Sequence, residues 1–119
     1  MAAVRDVMST KLHTVGPSDT VGEAVAVMAQ HRVGSVLVMD GDELVGIFTE
    51  RDTVRALSQS HDAARHEIDS WMTPRPKTVT PDVDSEDALK TMLDSGFRHL
   101  PVVEDGHVVG IVSMRDLAG

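Results

Sequence analysis

Apolar residues near the start of the chain recur with the spacing of one face of an α-helix. They occupy positions i, i+3, i+4 and i+7, and they are Val21, Ala24, Val25 and Met28. Thr20 stands just before this run and Glu23 lies three residues after Thr20, which is the capping-box pattern of a helix start. A short run at residues 12–15 comes earlier and stops at Pro17, so it predicts an extended entry strand.

Residues typical of β-strands follow the helix in two runs, 35–39 and 44–48. Asp40, Gly41 and Asp42 separate the runs, and this composition is typical of a hairpin turn. A second helix is predicted to begin at Thr49, with Asp52 in its first turn. The pattern therefore predicts a unit with the element order β-α-β-β-α.

The second half of the chain repeats the first at an offset of 64 residues, without a gap. The identical pairs include Met8 and Met72, Thr14 and Thr78, Val15 and Val79, Pro17 and Pro81, Val38 and Val102, Gly46 and Gly110, and Asp52 and Asp116. Because one offset aligns every pair, the chain is a tandem of two homologous units.

The second unit is predicted to contain the same elements. Its apolar helix face consists of Ala88, Leu89, Met92 and Leu93, behind the cap candidate Asp84 and before the stop signal Gly96. Strands are predicted at 100–103 and 108–112, and the last helix is short. We divide the chain into repeat 1 at residues 1–60 and repeat 2 at residues 61–119. The charged and polar segment 56–69 predicts a helix end followed by a solvated linker.

Composition excludes several classes of function. The 119 residues are 41% hydrophobic, enough for one compact domain with a core. The chain has no cysteine, which excludes disulfides and thiolate chemistry. Its net charge of -8 disfavours nucleic-acid binding, and its 3% aromatic content leaves no stacking platform for bases. No signal layout and no apolar run of membrane length is present, so we expect a cytoplasmic protein without a membrane partner.

The two units resemble a tandem pair of CBS domains. Each has a T-V-x-P entry motif and a G-I-x-[T/S]-x-R-D exit motif, and the resemblance runs from about Val4 to Asp116. It implies an α/β (α+β) fold of two β-α-β-β-α repeats packed with pseudo-twofold symmetry, with two clefts between the repeats. In similar proteins these clefts bind AMP, ADP, ATP or S-adenosylmethionine, and the module regulates another protein. Similar modules also form flat homodimers through the apolar stripe of their helices.

The exit motif has the chemistry to bind a nucleoside. At this motif a strand passes into a helix N-terminus, which favours an anion. Asp52 in the first turn can accept hydrogen bonds from a ribose diol, and the Thr49 hydroxyl can reach the ribose or a phosphate. Gly46 allows the backbone to approach a ligand closely. Repeat 2 offers the same set as Gly110, Ser113 and Asp116. The family resemblance implies that the entry strands read the adenine edge, through Thr14 and Val15 or through Thr78 and Val79.

A purely structural interpretation exists for each of these residues. Thr49 with Asp52, and Ser113 with Asp116, match the cap preferences of any helix start. The two glycines fit close packing or a β-bulge equally well. These alternatives stay open at the level of sequence.

The repeats differ just before their central strands. Repeat 2 has Arg98 and His99 where repeat 1 has Gly34 and Ser35. The resemblance implies that this position serves the cleft of the other repeat. We therefore assign Arg98 and His99 to the phosphates at Asp52, and Ser35 to the site at Asp116. The alternative is that Arg98 is a solvated surface residue and His99 fills a strand edge.

Arg51 and Arg115 precede the two aspartates of the exit motifs. They can contact a phosphate, form an ion pair on the helix face or contribute to a dimer contact.

Catalytic and metal-binding patterns are missing from the sequence. The chain contains no nucleophile elbow, Walker loop or G-x-G-x-x-G motif. Its six histidines are scattered, so we expect no metal site, no catalytic residue and no catalytic cofactor. Met8 and Met72 stand at matching starts of the repeats and can line an adenine pocket.

The sequence-based hypothesis is a regulatory, energy-sensing module that is not an enzyme. It binds an adenine nucleotide (AMP, ADP or ATP) and acts on another protein, or through its own homodimer. The alternative is a ligand-free scaffold for dimerisation or protein interaction. Nucleic-acid binding is a third possibility, which the negative charge disfavours.

Overall fold

A computed structural model describes residues 2–118, which divide into two compact units. The central unit runs from His13 to Pro76. The split unit combines the chain up to Leu12 with the chain from Lys77 onward.

Five helices and six strands are present in the described residues, together with short 3-10 turns at Ala63–Arg65 and Ile68–Ser70. The helices are α1 (Val4–Val7), α2 (Val21–His31), α3 (Glu50–Gln59), α4 (Ser85–Ser95) and α5 (Met114–Ala118). The strands are β1 (Thr14–Val15), β2 (Ser35–Asp40), β3 (Glu43–Thr49), β4 (Thr73–Pro74), β5 (His99–Glu104) and β6 (His107–Ser113).

The predicted helix boundaries are confirmed at atomic detail. The Thr20 side chain accepts a hydrogen bond from the Glu23 N–H and begins α2. Asp84 accepts from the Glu86 N–H and begins α4. Gly96 ends α4 with a φ of 76°, a left-handed conformation that glycine adopts without strain.

The central unit contains a four-stranded sheet in the order β1-β2-β3-β4. β1 is parallel to β2, whereas the pairs β2–β3 and β3–β4 are antiparallel. Helix α2 packs its apolar face on this sheet, since Val21, Ala24 and Met28 are all buried. The buried core cluster of the unit is Val15, Val21, Ala24, Met28, Val36, Val38, Phe48 and Ile68.

The split unit repeats this arrangement with fewer paired residues. β5 and β6 form its antiparallel pair, and an isolated parallel bridge joins Val79 to Val102. Its buried core cluster is Val4, Ala88, Met92, Leu100, Val102 and Val112. The prediction that Leu93 shares the buried face of α4 is wrong, because its side chain is exposed.

The segments that precede the entry strands pack against the other repeat. Ser9, which comes just before repeat 1's entry strand, pairs with Ile111 of β6. Thr73, 64 residues later, pairs with Ile47 of β3. Each segment thus pairs with the exit strand of the other repeat. The repeats along the sequence and the compact units in space are therefore different divisions of the chain.

We call these segments, residues 4–9 and 68–73, the lead-in segments, and one apolar side chain fixes each of them. Val4 lies in the core of the split unit and its N–H donates to the Val83 carbonyl at 2.8 Å. Ile68 is the equivalent residue in the central unit, and its N–H donates to the Asp19 carbonyl at 2.7 Å. Both side chains are completely buried, so the lead-in segments are parts of the core.

The prediction of a solvated linker after α3 is wrong. Ala56, Ala63 and Ile68 are fully buried, and the 3-10 turn Ala63–Arg65 packs on α2 and α3. Buried small and apolar residues alternate here with exposed charged ones, so the charge of the segment reflects its outer face only. No helix within residues 2–118 is long and apolar enough to cross a membrane.

Candidate ligand site at the start of α3

The junction between β3 and α3 holds a closed hydrogen-bonded pair. The Thr49 hydroxyl accepts from the Asp52 N–H at 3.3 Å, while Asp52 Oδ2 accepts from the Thr49 N–H at 3.0 Å. The Thr49 hydroxyl also donates to Asp52 Oδ2 at 3.2 Å. The structure therefore contains the capping box that the motif predicts.

The Asp52 carboxylate keeps one oxygen outside the capping box. Its Oδ1 is contacted by Arg55 Nη2 at 3.5 Å, a long ion pair. The aspartate is buried, with 7% of its surface exposed. A carboxylate oxygen has two acceptor positions, so Oδ1 retains capacity for a ligand hydroxyl.

The entry strand and the exit strand are brought together by β2. Val38 of β2 is opposite Val15 of β1 on one side and Gly46 of β3 on the other. Neighbouring strands lie about 4.8 Å apart, which places Val15 and Gly46 about 10 Å apart across the sheet. The structure thus places Thr14, Val15, Gly46, Thr49 and Asp52 in one unit, on two strands that flank β2 and on the helix that follows the second strand.

Gly46 makes room for Met72. A Cβ at this position would collide with the Met72 sulfur and would lie 3.1 Å from the Thr73 carbonyl oxygen. The β-bulge between Val38 and Met39 lies beside it in the sheet. Close packing of the lead-in segment accounts for this glycine, and a ligand is not needed to explain it.

The split unit carries the equivalent junction between β6 and α5. Asp116 Oδ2 accepts from the Ser113 N–H at 2.8 Å, and the Ser113 hydroxyl accepts from the Asp116 N–H at 3.2 Å. Val79 and Gly110 are both opposite Val102, and a Cβ on Gly110 would lie 2.6 Å from the Met8 sulfur. Asp116 is exposed, in contrast to Asp52. Thr78 is also exposed in this unit.

Arg98 and His99 lie in the split unit, beside Ser113. His99 is opposite Ser113 in the sheet, and the Arg98 carbonyl accepts from the Met114 N–H at 2.8 Å. Ser35 lies in the central unit, buried and opposite Thr49. The assignment of Arg98 and His99 to Asp52, and of Ser35 to Asp116, stays a prediction.

Sequence reasoning missed a polar chain that leads away from Asp52. Arg55 Nη2 donates to the Trp71 carbonyl at 2.6 Å, and the guanidinium lies 5.6 Å from the centroid of the Trp71 ring. Trp71 Nε1 in turn donates to His66 Nδ1 at 3.0 Å. The i, i+3 spacing of Asp52 and Arg55 on a helix was the signal in the sequence for their ion pair. The contact with Trp71 had no such signal, because it spans the segment predicted to be a linker.

Histidine pairs and acidic groups form no metal centre in residues 2–118, where no cluster of three potential ligands occurs. His13 and His31 stack with ring centroids 4.1 Å apart and an interplanar angle of 25°.

Sequence comparison matches both halves of the chain to one family. A family model described as CBS domain matches residues 4–59 and again residues 66–119. An uncharacterized 17.7 kDa protein from the bps2 3′ region of Acidianus ambivalens is 44% identical over 121 residues, which cover 97% of this chain and 70% of that protein. The CBS domain-containing protein YhcV of Bacillus subtilis is 35% identical over 119 residues, covering 99% and 84%.

Solved structures show the same fold. The CBS-domain containing protein ATU1752 of Agrobacterium tumefaciens aligns with a TM-score of 0.94 and 31% identity, over 98% of this chain and 97% of that one. CBSX2, crystallised in complex with AMP, has a TM-score of 0.85 and 28% identity over 99% and 94% of the two chains. The CBS domain pair of MJ0100, in complex with 5-methylthioadenosine and S-adenosyl-L-methionine, has a TM-score of 0.91 and 28% identity over 99% and 94%.

Proposed function

The chain belongs to the CBS domain family, and on that premise we propose that it is a regulatory module that binds an adenine nucleotide: AMP, ADP or ATP. The ligand's ribose diol donates hydrogen bonds to the Asp52 carboxylate. The phosphates lie toward the N-terminus of α3, where the helix dipole favours an anion, and the Thr49 hydroxyl, which donates to Asp52 Oδ2, holds the carboxylate in place. Arg98 supplies the positive charge for those phosphates, and His99 is assigned to them as a polar contact.

The observation that carries this proposal is the burial and incomplete hydrogen bonding of the Asp52 carboxylate. A buried carboxylate is expensive unless its oxygens are hydrogen-bonded. The capping box satisfies Oδ2 twice, but Oδ1 has only the long Arg55 contact among the described residues. A diol that donates to Oδ1 completes the shell of this group. The AMP bound to CBSX2 and the two adenosine compounds bound to the MJ0100 pair support an adenosine ligand.

The second repeat offers a weaker site. Asp116 has the same capping box, but it is exposed, so water competes with any ligand for its oxygens. Ser35 is the assigned partner there, and it has no charge for phosphates. The proposal therefore ranks the Asp52 site above the Asp116 site.

Regulation is proposed to follow from preferential binding to one conformation. A ligand shifts a conformational equilibrium only by the difference between its affinities for the two states. The module is proposed to have no catalytic activity of its own. It transmits nucleotide occupancy, and hence energy status, to a separate protein or through its own homodimer.

A thermal-shift panel tests the proposed ligand class. Nucleotide-free protein is mixed with adenosine, AMP, ADP, ATP, NAD, S-adenosylmethionine or GTP at millimolar concentration. A ligand that binds only the folded state raises Tm by mass action. A rise with the adenine nucleotides and none with GTP is the expected result. No rise with any of the adenosine compounds would refute the proposal.

A ligand-free scaffold is the second candidate function, and exposed apolar residues favour it. Val54 is 70% exposed on α3, and Leu57 is exposed on the same helix. Leu93 and Phe97 are exposed in the split unit. Light scattering distinguishes the two functions when it is combined with the panel above. A dimer that Val54→Lys dissociates, in a protein that no nucleotide stabilises, would favour the scaffold.

A further inference from the structure

We propose that Arg55 couples the occupancy of Asp52 to Trp71. Arg55 is then a positioning residue, through which a ligand bound at Asp52 changes the surroundings of Trp71 in the lead-in segment of repeat 2. This inference rests on the proposed function and adds a route of regulation to it.

The two contacts of Arg55 differ in strength. Its Nη2 lies 3.5 Å from Asp52 Oδ1 but only 2.6 Å from the Trp71 carbonyl oxygen. The guanidinium also lies 5.6 Å from the centroid of the Trp71 ring, which adds a cation–π attraction. The side chain of Arg55 is 45% exposed, where an ion pair of this length contributes little. Arg55 is thus anchored on Trp71 and only loosely bound to Asp52.

A ligand hydroxyl at Oδ1 competes directly with the loose contact. Oδ2 already accepts two hydrogen bonds from Thr49, so Oδ1 is the oxygen with remaining capacity. When a ribose hydroxyl donates to Oδ1, the carboxylate charge that holds Nη2 is shared with the ligand. The guanidinium then moves relative to Asp52, while its hydrogen bond to the Trp71 carbonyl remains. Its position over the Trp71 ring therefore changes.

Trp71 passes this shift to the segment in which it lies. Its indole is tied to His66 by a 3.0 Å hydrogen bond and packs against the core of the central unit. Met72, the next residue, fills the space beside Gly46 on β3. The same short segment therefore contacts both the helix that carries Asp52 and the strand that leads to it.

The Asp116 site has no counterpart of Arg55, Trp71 or His66. At the offset of 64 residues, Trp71 and His66 correspond to Val7 and Ala2, and Arg55 corresponds to glycine in the sequence. Asp116 accordingly has no arginine contact among the described residues. Coupling to a lead-in segment is therefore a property of the Asp52 site alone.

The single tryptophan makes the coupling measurable. AMP is titrated into the full chain while the Trp71 indole N–H resonance and the backbone amides are followed in proton–nitrogen correlation spectra. In the wild type we expect the indole resonance to shift along the same saturation curve as the Thr49 amide. In Arg55→Gln the Thr49 amide still reports AMP binding, with an affinity within about fivefold of wild type, but the indole shift is lost.

Arg65→Gln is the matched control, because it removes one exposed arginine of the same unit outside the chain of contacts. It is expected to behave as wild type. An indole shift of equal size in Arg55→Gln, or AMP binding to the wild type without any indole shift, would overturn this inference and leave the proposed function intact. Failure of AMP to perturb any amide of the wild type would overturn both.

Discussion

Thr49 and Asp52 bind each other through both backbone and side chain, with Asp52 Oδ2 accepting the Thr49 N–H at 3.0 Å and the Thr49 hydroxyl at 3.2 Å. One pair of residues thus begins α3 and orients the carboxylate that we assign to the ribose. The structural and the functional interpretations of this motif are compatible, because each uses a different oxygen of Asp52.

Removal of the Thr49 hydroxyl is expected to lower both stability and ligand affinity. Thr49→Ala deletes an N-cap, which costs about 1 kcal/mol in the free energy of unfolding. Thr20→Ala is the matched variant, since Thr20 caps α2 in the same way. Chemical denaturation should show similar losses for the two variants. Calorimetry with AMP should show weaker binding for Thr49→Ala only. Equal affinities of the two variants for AMP would show that the Thr49 cap does not contribute to the ligand site.

The two aspartates of the exit motifs are expected to contribute unequally. Asp52→Asn keeps the shape of the side chain but replaces a carboxylate oxygen with an amide, so affinity for adenosine and for AMP should fall together by about tenfold or more. Asp116→Asn should change the tighter binding event by less than about twofold. Calorimetric titration of both variants measures this. A larger loss in Asp116→Asn would reverse our ranking of the sites.

Arg98 is expected to discriminate between ligands with and without phosphate. Arg98→Ala should weaken AMP, ADP and ATP by about tenfold while affinity for adenosine stays within about twofold, because only the phosphates need the positive charge. Adenosine is the internal control of this experiment. Equal losses for adenosine and AMP would show that Arg98 does not serve the phosphates.

Gly46 is expected to be required for packing. Gly46→Ala introduces a Cβ that collides with Met72 and lies 3.1 Å from the Thr73 carbonyl oxygen, so stability should fall by about 1–3 kcal/mol. Gly16→Ala is the control, because its Cβ would meet Asp19 Oδ2 at an ordinary 3.7 Å. Thermal denaturation of the two variants, without ligand, decides the matter. Equal stability would contradict the packing role.

The first helix is expected to be part of the core despite its four residues. Val4 is fully buried, so Val4→Ala should destabilise the protein by about 2 kcal/mol. Val54→Ala removes the same atoms from an exposed site and should change stability by less than about 0.5 kcal/mol. Urea denaturation measures both. A neutral Val4→Ala would show that α1 is dispensable.

Local sequence patterns were sufficient for the main helices and strands of both repeats and for the capping box at the start of α3. The caps at Thr20 and Asp84 and the stop at Gly96 depend on residues within one or two helical turns, and the structure confirms each. Thr49 and Asp52 were found for the same reason, since their motif lies within four residues.

Long-range packing was beyond the reach of those patterns. Ile68 is a single apolar residue among charged neighbours, so nothing local shows that it completes a core formed around Val21 and Phe48. Arg55 acts through Trp71, 16 residues away in the sequence. For Ile68 the repeat did hold a signal, because the equivalent residue 64 positions earlier is the apolar Val4.

Backbone amide mapping is the most direct test of AMP binding at Asp52. Assigned proton–nitrogen correlation spectra are recorded on nucleotide-free protein as AMP is added to saturation. We predict saturable shifts concentrated at the amides of Thr14, Val15, Thr49 and Asp52, which lie together in the central unit. Spectra unchanged at millimolar AMP, or shifts confined to residues outside this set, would show that AMP does not bind at Asp52.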